Sequence, residues 1–79
     1  MKQSAWMTTG QMLDALHQDP GQEHEFHHRV SGILCSTYWW MYDPATDRYG
    51  VSTDWREYEW CSRDVMAQSY DGEWWKLIV

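Results

Sequence analysis

Basic residues are scarce in this 79-residue chain, and long apolar runs are missing from it. Six Lys and Arg face twelve Asp and Glu, so the formal net charge is −6. That charge repels a phosphate backbone, which excludes non-specific nucleic-acid binding. The longest apolar runs, 38–42 and 74–79, fall far short of the roughly 20 residues that a bilayer span requires, and no leader pattern opens the chain. We expect a soluble protein that works in the cytoplasm, away from any membrane.

Cysteine is equally scarce, which removes two further classes of protein. Cys35 and Cys61 form no CxxC pair and no dense framework of the kind found in small secreted domains. We expect two buried, reduced thiols, although one disulfide remains open. His24 and His28 share a face of an extended strand but lie roughly 13 Å apart there, too far to bind one ion. We therefore predict neither a metal site in this histidine cluster nor a cofactor.

Catalytic signatures are also missing from the sequence. It contains no Gly-rich phosphate loop, no GxSxG elbow and no recognisable nucleophile triad. Carboxylates do occur near tryptophans, at Asp54, Glu57, Glu59 and Asp64, but a chain with twelve acids places some there by chance. We predict that the protein is not an enzyme.

Local patterns predict one α+β domain over residues 1–79. Thr8 and Gln11 fit a capping box, so a helix begins at Thr9 and ends at the Asp19-Pro20-Gly21 turn. Alternating residues and turn residues predict antiparallel strands at 23–30, 33–42, 48–52 and 56–61. A short helix follows the N-cap candidate Ser62, and residues 74–79 return as a strand inside the sheet. The first helix should pack on a strongly bent sheet of about five strands.

Aromatic residues are the abundant feature, with seven Trp and five Tyr. We expect the core to contain Trp39, Trp55, Trp60 and Trp75. The strand at 33–42 is apolar on both faces, so its second face should be covered by a ligand or a second subunit. We assign the homo-oligomer interface to that face, at Tyr38, Trp40 and Tyr42. The same aromatic surface is also suited to stacking a nucleobase, with Arg48 or Arg56 pairing its phosphate.

Both ends of the chain resemble small phage proteins of the Thoeris anti-defence family, which act as sponges for signalling nucleotides. The segment Met7-Thr8-Thr9-Gly10-Gln11-Met12-Leu13-Asp14-Ala15-Leu16 resembles the opening helix of that family. The stretch from Ser62 through Asp64-Val65-Met66-Ala67 to Asp71 and Trp74 resembles its closing helix and strand. Together these segments cover about a third of the chain.

The resemblance implies an α+β oligomer that captures a cyclic nucleotide immune signal without cleaving it. Trp74 and Asp71 match the closing motif of the family. To them we add Trp40 and Arg48 from the strand-face argument, so the predicted ligand site contains Trp40, Arg48, Asp71 and Trp74. An aromatic side chain would stack the base, and donors would bind the phosphates.

Net charge supports an alternative function from another class. An acidic protein can imitate DNA and cover the basic channel of a host defence complex such as a CRISPR effector. In that case the acids should cluster, and we name Glu23, Glu25, Asp54, Glu57 and Glu59 as the candidate face. If the acids instead surround a pocket that carries Arg48, Arg56 or Arg63, nucleotide capture is favoured.

Overall fold

The computed structural model describes residues 5–78 as two helices on one open, antiparallel sheet of six strands. In chain order the elements are β1 (Met7–Thr8), α1 (Thr9–His17), β2 (His24–Val30), β3 (Ile33–Asp43), β4 (Arg48–Ser52), β5 (Glu59–Cys61), α2 (Arg63–Ser69) and β6 (Trp74–Leu77). The strands lie in the order β1-β6-β2-β3-β4-β5. The α+β class predicted from the sequence is confirmed. No helix within residues 5–78 is long and apolar enough to cross a bilayer.

Both helices begin at side-chain caps. The Thr8 hydroxyl accepts the Gln11 N–H at 3.2 Å, and the Gln11 side-chain oxygen accepts the Thr8 N–H at 2.9 Å. This is the capping box expected from the sequence, and it fixes the start of α1 at Thr9. The Ser62 hydroxyl likewise accepts the Val65 N–H at the start of α2. These caps satisfy backbone donors that a helix cannot satisfy internally.

Three of the predicted strands lie where expected, and the fourth is shorter. Asp54 Oδ1 accepts the N–H groups of Arg56 and Glu57 at 2.9 and 3.1 Å. These donors are therefore lost to the sheet, Trp55 turns to a φ of 56°, and β5 begins only at Glu59. At the other edge, the two-residue strand β1 was not predicted. It makes β6 an interior strand between β1 and β2, as expected, although Val79 lies outside the described residues.

The core lies between the two helices and one face of the sheet, here called the inner face. Its fully or nearly buried apolar residues are Met12, Leu13, Leu16, Phe26, Trp40, Tyr42, Tyr49, Val51, Met66 and Trp75. Trp40 and Tyr42, which we assigned to the subunit interface, are only 0% and 7% exposed. The face of β3 that we assigned to a partner is thus the face that the helices cover, and Trp39 and Met41 lie on the opposite, outer face.

The tryptophans divide between the two faces. Trp75 is fully buried, as predicted for the core, but Trp55 and Trp60 are 57% and 37% exposed. Trp39 is half-buried on the outer face. Trp60 lies over Gly50, where an added Cβ would come within 2.8 Å of its ring. The missing side chain at Gly50 thus lets this indole rest on the sheet from outside.

Both cysteines are free thiols. Cys61 is half-buried, whereas Cys35 is exposed, so the expectation that both are buried is wrong for Cys35. Its neighbours Ile33 and Leu34 are also more than half exposed. Among residues 5–78, nothing covers this end of the β2–β3 hairpin, and the Cys35 thiol is exposed there.

Candidate ligand-binding site

Two of the four predicted ligand-binding residues meet at one cavity. Asp71 and Trp74 line a cavity of about 430 Å³ beside the first turn of α1. The complete lining is Thr8, Thr9, Gly10, Ala67, Asp71, Gly72, Glu73 and Trp74. Trp74 is 39% exposed, so part of its indole surface is open to a stacking partner. We call this cavity the Trp74 pocket.

The first turn of α1 supplies backbone donors to the Trp74 pocket. The N–H groups of the first helical residues, Thr9 and Gly10, have no acceptor within the helix. The turn is held rigidly, because the Thr9 hydroxyl accepts the buried Trp75 Nε1–H at 2.9 Å and donates to the Tyr70 carbonyl at 2.6 Å. The amino end of a helix carries partial positive charge, which favours an anionic group such as a phosphate.

Two cations are neighbours of Trp74 on the outer face of the sheet, although neither lines the pocket. In the register of β2 and β6, Trp74 stands opposite Arg29, and Lys76 stands opposite His27. The guanidinium carbon of Arg29 lies 4.1 Å from the centroid of the Trp6 ring. Two cations and an exposed indole therefore share this end of the outer face, although the chain as a whole is strongly acidic.

The two carboxylates of the pocket differ in their surroundings. Glu73 Oε1 is hydrogen-bonded to Nε2 of the buried imidazole of His28. Asp71 is exposed, and its side chain has no hydrogen bond within the described part of the chain. A free carboxylate can accept N–H groups from the edge of a purine. The pocket thus combines an aromatic surface, an acceptor and phosphate-binding donors.

The other predicted site residues lie elsewhere. Trp40 is in the core and has no exposed surface with which to touch a ligand or a second subunit. Arg48 stands opposite Asp43 on β4, and two strands separate β4 from Trp74 on β6. Of the remaining interface residues, Tyr42 is buried and its hydroxyl donates to Asp47 Oδ1 at 2.8 Å. Tyr38 is half-buried and lines a second cleft on the inner face.

Sequence reasoning missed Arg29, Thr9 and Gly10 as site residues. The alternation of β2 already placed Arg29 on the face opposite Phe26, but the sequence did not show that β6 pairs with β2. The capping box marked the start of α1 as a set of free N–H groups. The sequence did not show that β6 lies beside the start of α1.

Within residues 5–78, no group of three His, Cys, Asp or Glu side chains is arranged to hold a metal ion. Comparison with protein-family models, with curated proteins and with solved structures finds no match for this chain. The functional argument therefore depends on the site itself.

Proposed function

We propose that the protein is a non-enzymatic, phage-type counter-defence protein that binds a cyclic nucleotide immune signal in the host cytoplasm and withholds it from its effector. The observation that carries the proposal is the position of Trp74. Trp74 and the first turn of α1 line the same pocket, and Trp74 stands opposite Arg29 in the register of β6 and β2. Base stacking and phosphate binding are thus available at one place.

Each part of the Trp74 pocket has a role in this proposal. Trp74 stacks the base, and Asp71 accepts N–H groups from the base edge. Arg29 and the first turn of α1 bind the phosphates. We assign no catalytic role to the pocket, in which Glu73 is engaged by His28. Binding without cleavage is therefore the function that these residues support.

Thermal-shift and calorimetric titrations with cyclic dinucleotides, cyclic trinucleotides and cyclic ADP-ribose isomers test the proposal. A ligand of the native state raises stability by about 2.7 kcal/mol at a hundredfold excess over its Kd, which a small domain reports as a clear rise in Tm. We expect Trp74→Ala to weaken binding by about 5- to 150-fold, because base stacking on an aromatic contributes about 1–3 kcal/mol.

Trp60→Ala is the matched control. Trp60 has nearly the same exposure as Trp74 but lies on β5 at the other end of the sheet. The Trp60→Ala variant should bind the ligand like the unmodified protein. The nucleotide should be recovered intact after binding. If the whole panel leaves Tm unchanged, or if both variants lose affinity equally, the proposal fails.

We also propose that the protein is a homo-oligomer and that its subunits meet through the outer face of the sheet. Trp39 and Met41 lie on this face, which neither helix covers. Aromatic residues and Met are enriched at subunit interfaces. We expect Trp39→Ala to lower the mass measured by size-exclusion chromatography with light scattering. An unmodified protein that already elutes as a monomer would exclude the oligomer.

The distribution of acids supports a second candidate, the acidic inhibitor of a host defence complex. Glu57 and Glu59 line the cleft that includes Tyr38, and Glu23 accepts a hydrogen bond from the hydroxyl of the neighbouring Tyr58. Asp54 organises the same loop. No arginine lines this cleft, so Glu57 and Glu59 cluster as the inhibitor hypothesis requires, whereas Glu25 stands opposite Trp39 on the outer face and lies apart from them. A nucleotide panel without a single hit would favour this candidate.

A further inference from the structure

The second cleft has the chemistry of a cation site. It has a volume of about 350 Å³ and lies on the inner face, between the β4–β5 end of the sheet and the C-terminal end of α2. Its lining includes Tyr38, Glu57, Tyr58, Glu59 and Tyr70. We call it the tyrosine cleft. It contains three aromatic rings and two carboxylates, and none of its lining residues is Lys, Arg or His.

The tyrosine rings form a corner. The rings of Tyr38 and Tyr70 are 6.2 Å apart between centroids and stand at 87° to each other. Tyr58, from the loop before β5, borders the same space and is held by its hydrogen bond to Glu23. Aromatic ring faces attract cations, the ammonium group of lysine among them, through their quadrupoles, and several rings together form the cages that recognise quaternary ammonium groups.

Charge reinforces this geometry. Glu57 and Glu59 line the cleft, and no basic side chain of the lining neutralises them. Burial raises the pKa of Tyr70 to about 12, with further contributions from Tyr38 and from the negative charges of Glu59 and Glu73. Burial, followed by the charge of Glu73, also raises the pKa of Tyr38. The two carboxylates of the lining make a cation the favoured charged occupant of the cleft.

The loop that carries Glu57 and Tyr58 is shaped before any ligand arrives. Asp54 Oδ1 accepts the hydroxyl of Ser52 at 2.9 Å as well as the N–H groups of Arg56 and Glu57. These bonds hold the pKa of Asp54 below its usual value, so the carboxylate stays ionised. Preorganisation lowers the entropy that binding would otherwise cost.

From these features we propose that the tyrosine cleft binds a primary alkylammonium group, with Tyr38, Tyr58 and Tyr70 around the cation and Glu57 and Glu59 as its counter-charges. Two sources share this chemistry, namely a free polyamine and a lysine side chain of a partner protein. The inference is independent of nucleotide capture, because the tyrosine cleft and the Trp74 pocket have no lining residue in common.

Isothermal titration at constant ionic strength tests the proposal with four probes. Cadaverine and spermidine represent free polyamines, Nα-acetyl-lysine methylamide represents a protein side chain, and 1,5-pentanediol is the uncharged analogue of cadaverine. We expect at least one amine to bind and the diol not to bind. Binding of polyamines alone would identify a free polyamine as the occupant, and binding of the lysine derivative would identify a protein partner.

Two double variants distinguish binding of the amine in the cleft from general attraction of a cation to an acidic protein. Glu57→Gln with Glu59→Gln should weaken amine binding by about tenfold or more, because hydrogen bonds to charged groups are among the stronger ones. Glu25→Gln with Asp64→Asn removes the same charge outside the cleft and should leave the affinity within about twofold. Equal losses in both pairs, or no amine heat in the unmodified protein, would overturn the proposal.

Replacing one tyrosine of the cleft tests the role of the aromatic rings without a change in net charge. Tyr58→Leu keeps an apolar side chain in a half-exposed loop, so the fold should survive, and the affinity for the amine should fall if an aromatic ring contacts the cation. An unchanged affinity in this variant would also count against the proposal, since the carboxylates alone would then account for binding.

Discussion

Replacing Trp75 with Ala is expected to lower the free energy of unfolding by about 3–5 kcal/mol. Trp75 is fully buried, and its ring meets five other rings. It stacks on His28 at 4.2 Å and makes edge contacts with Phe26, Tyr38, Trp40 and Tyr70. A domain of this size is stable by only about 4–12 kcal/mol. Between about a quarter and all of that margin would be lost, and urea unfolding followed by circular dichroism measures the change.

The adjacent tryptophan is the matched control. Trp74 points to the outer face and is 39% exposed, so Trp74→Ala should cost less than about 1 kcal/mol. Trp75→Phe should fall between the two, because it keeps an aromatic ring but leaves the Thr9 hydroxyl without its 2.9 Å donor. Similar losses in the two alanine variants would show that Trp75 is not the centre of the core.

Removing the Glu73 side chain is expected to lower the free energy of unfolding by about 1–3 kcal/mol, although Glu73 lies near the surface. Its carboxylate is the partner of Nε2 of His28, whose imidazole is only 4% exposed. Nδ1 of this ring has no partner within the described residues. In Glu73→Ala both ring nitrogens would be buried and unsatisfied. The change is measured by urea unfolding at a fixed pH.

Two further variants identify the cause of that loss. Glu73→Gln keeps an oxygen acceptor for Nε2 and should recover most of the stability. His28→Phe keeps the stack on Trp75 and removes both ring nitrogens, so adding Glu73→Ala to it should cost almost nothing further. If Glu73→Ala lowers the free energy of unfolding equally in the unmodified protein and in His28→Phe, Glu73 does not stabilise the protein through its hydrogen bond to His28.

Local chemistry predicted most of the elements. The side-chain cap at Thr8 and the Asp19-Pro20 turn bounded α1, and the Asp43-Pro44 turn bounded the hairpin that contains β4. Such signals involve residues a few positions apart, so they can be recognised in the sequence without knowledge of the fold. The shortening of β5 escaped prediction, because the alternation at 56–61 indicates a strand while Asp54 withdraws the backbone donors.

The faces of β3 were assigned the wrong way because apolarity alone cannot separate them. Both faces are rich in apolar side chains, and the helices decide which one is buried. A signal was present on β4, where Tyr49 and Val51 alternate with Gly50 and are paired with the Trp40 face. Reading it required the hairpin register, which places Trp40 opposite Val51.

The candidate site was half predictable for a related reason. Asp71 and Trp74 are close in sequence and stayed close in the fold. Trp40 and Arg48 were selected by strand face and by charge, and their distance from Trp74 depends on strand order, which the sequence does not state. Arg29 stands opposite Trp74 because β6 pairs with β2, a contact between distant parts of the chain.

The two edge strands of the sheet are its shortest. Within the described residues, β1 has two residues and β5 has three. A strand this short offers few unpaired N–H and C=O groups, so it is a poor template for another chain to extend the sheet. Growth into fibres by strand addition at these two edges is thereby discouraged. Self-assembly of this protein is therefore expected to join side-chain surfaces and to leave the backbone ladders of each copy as they are.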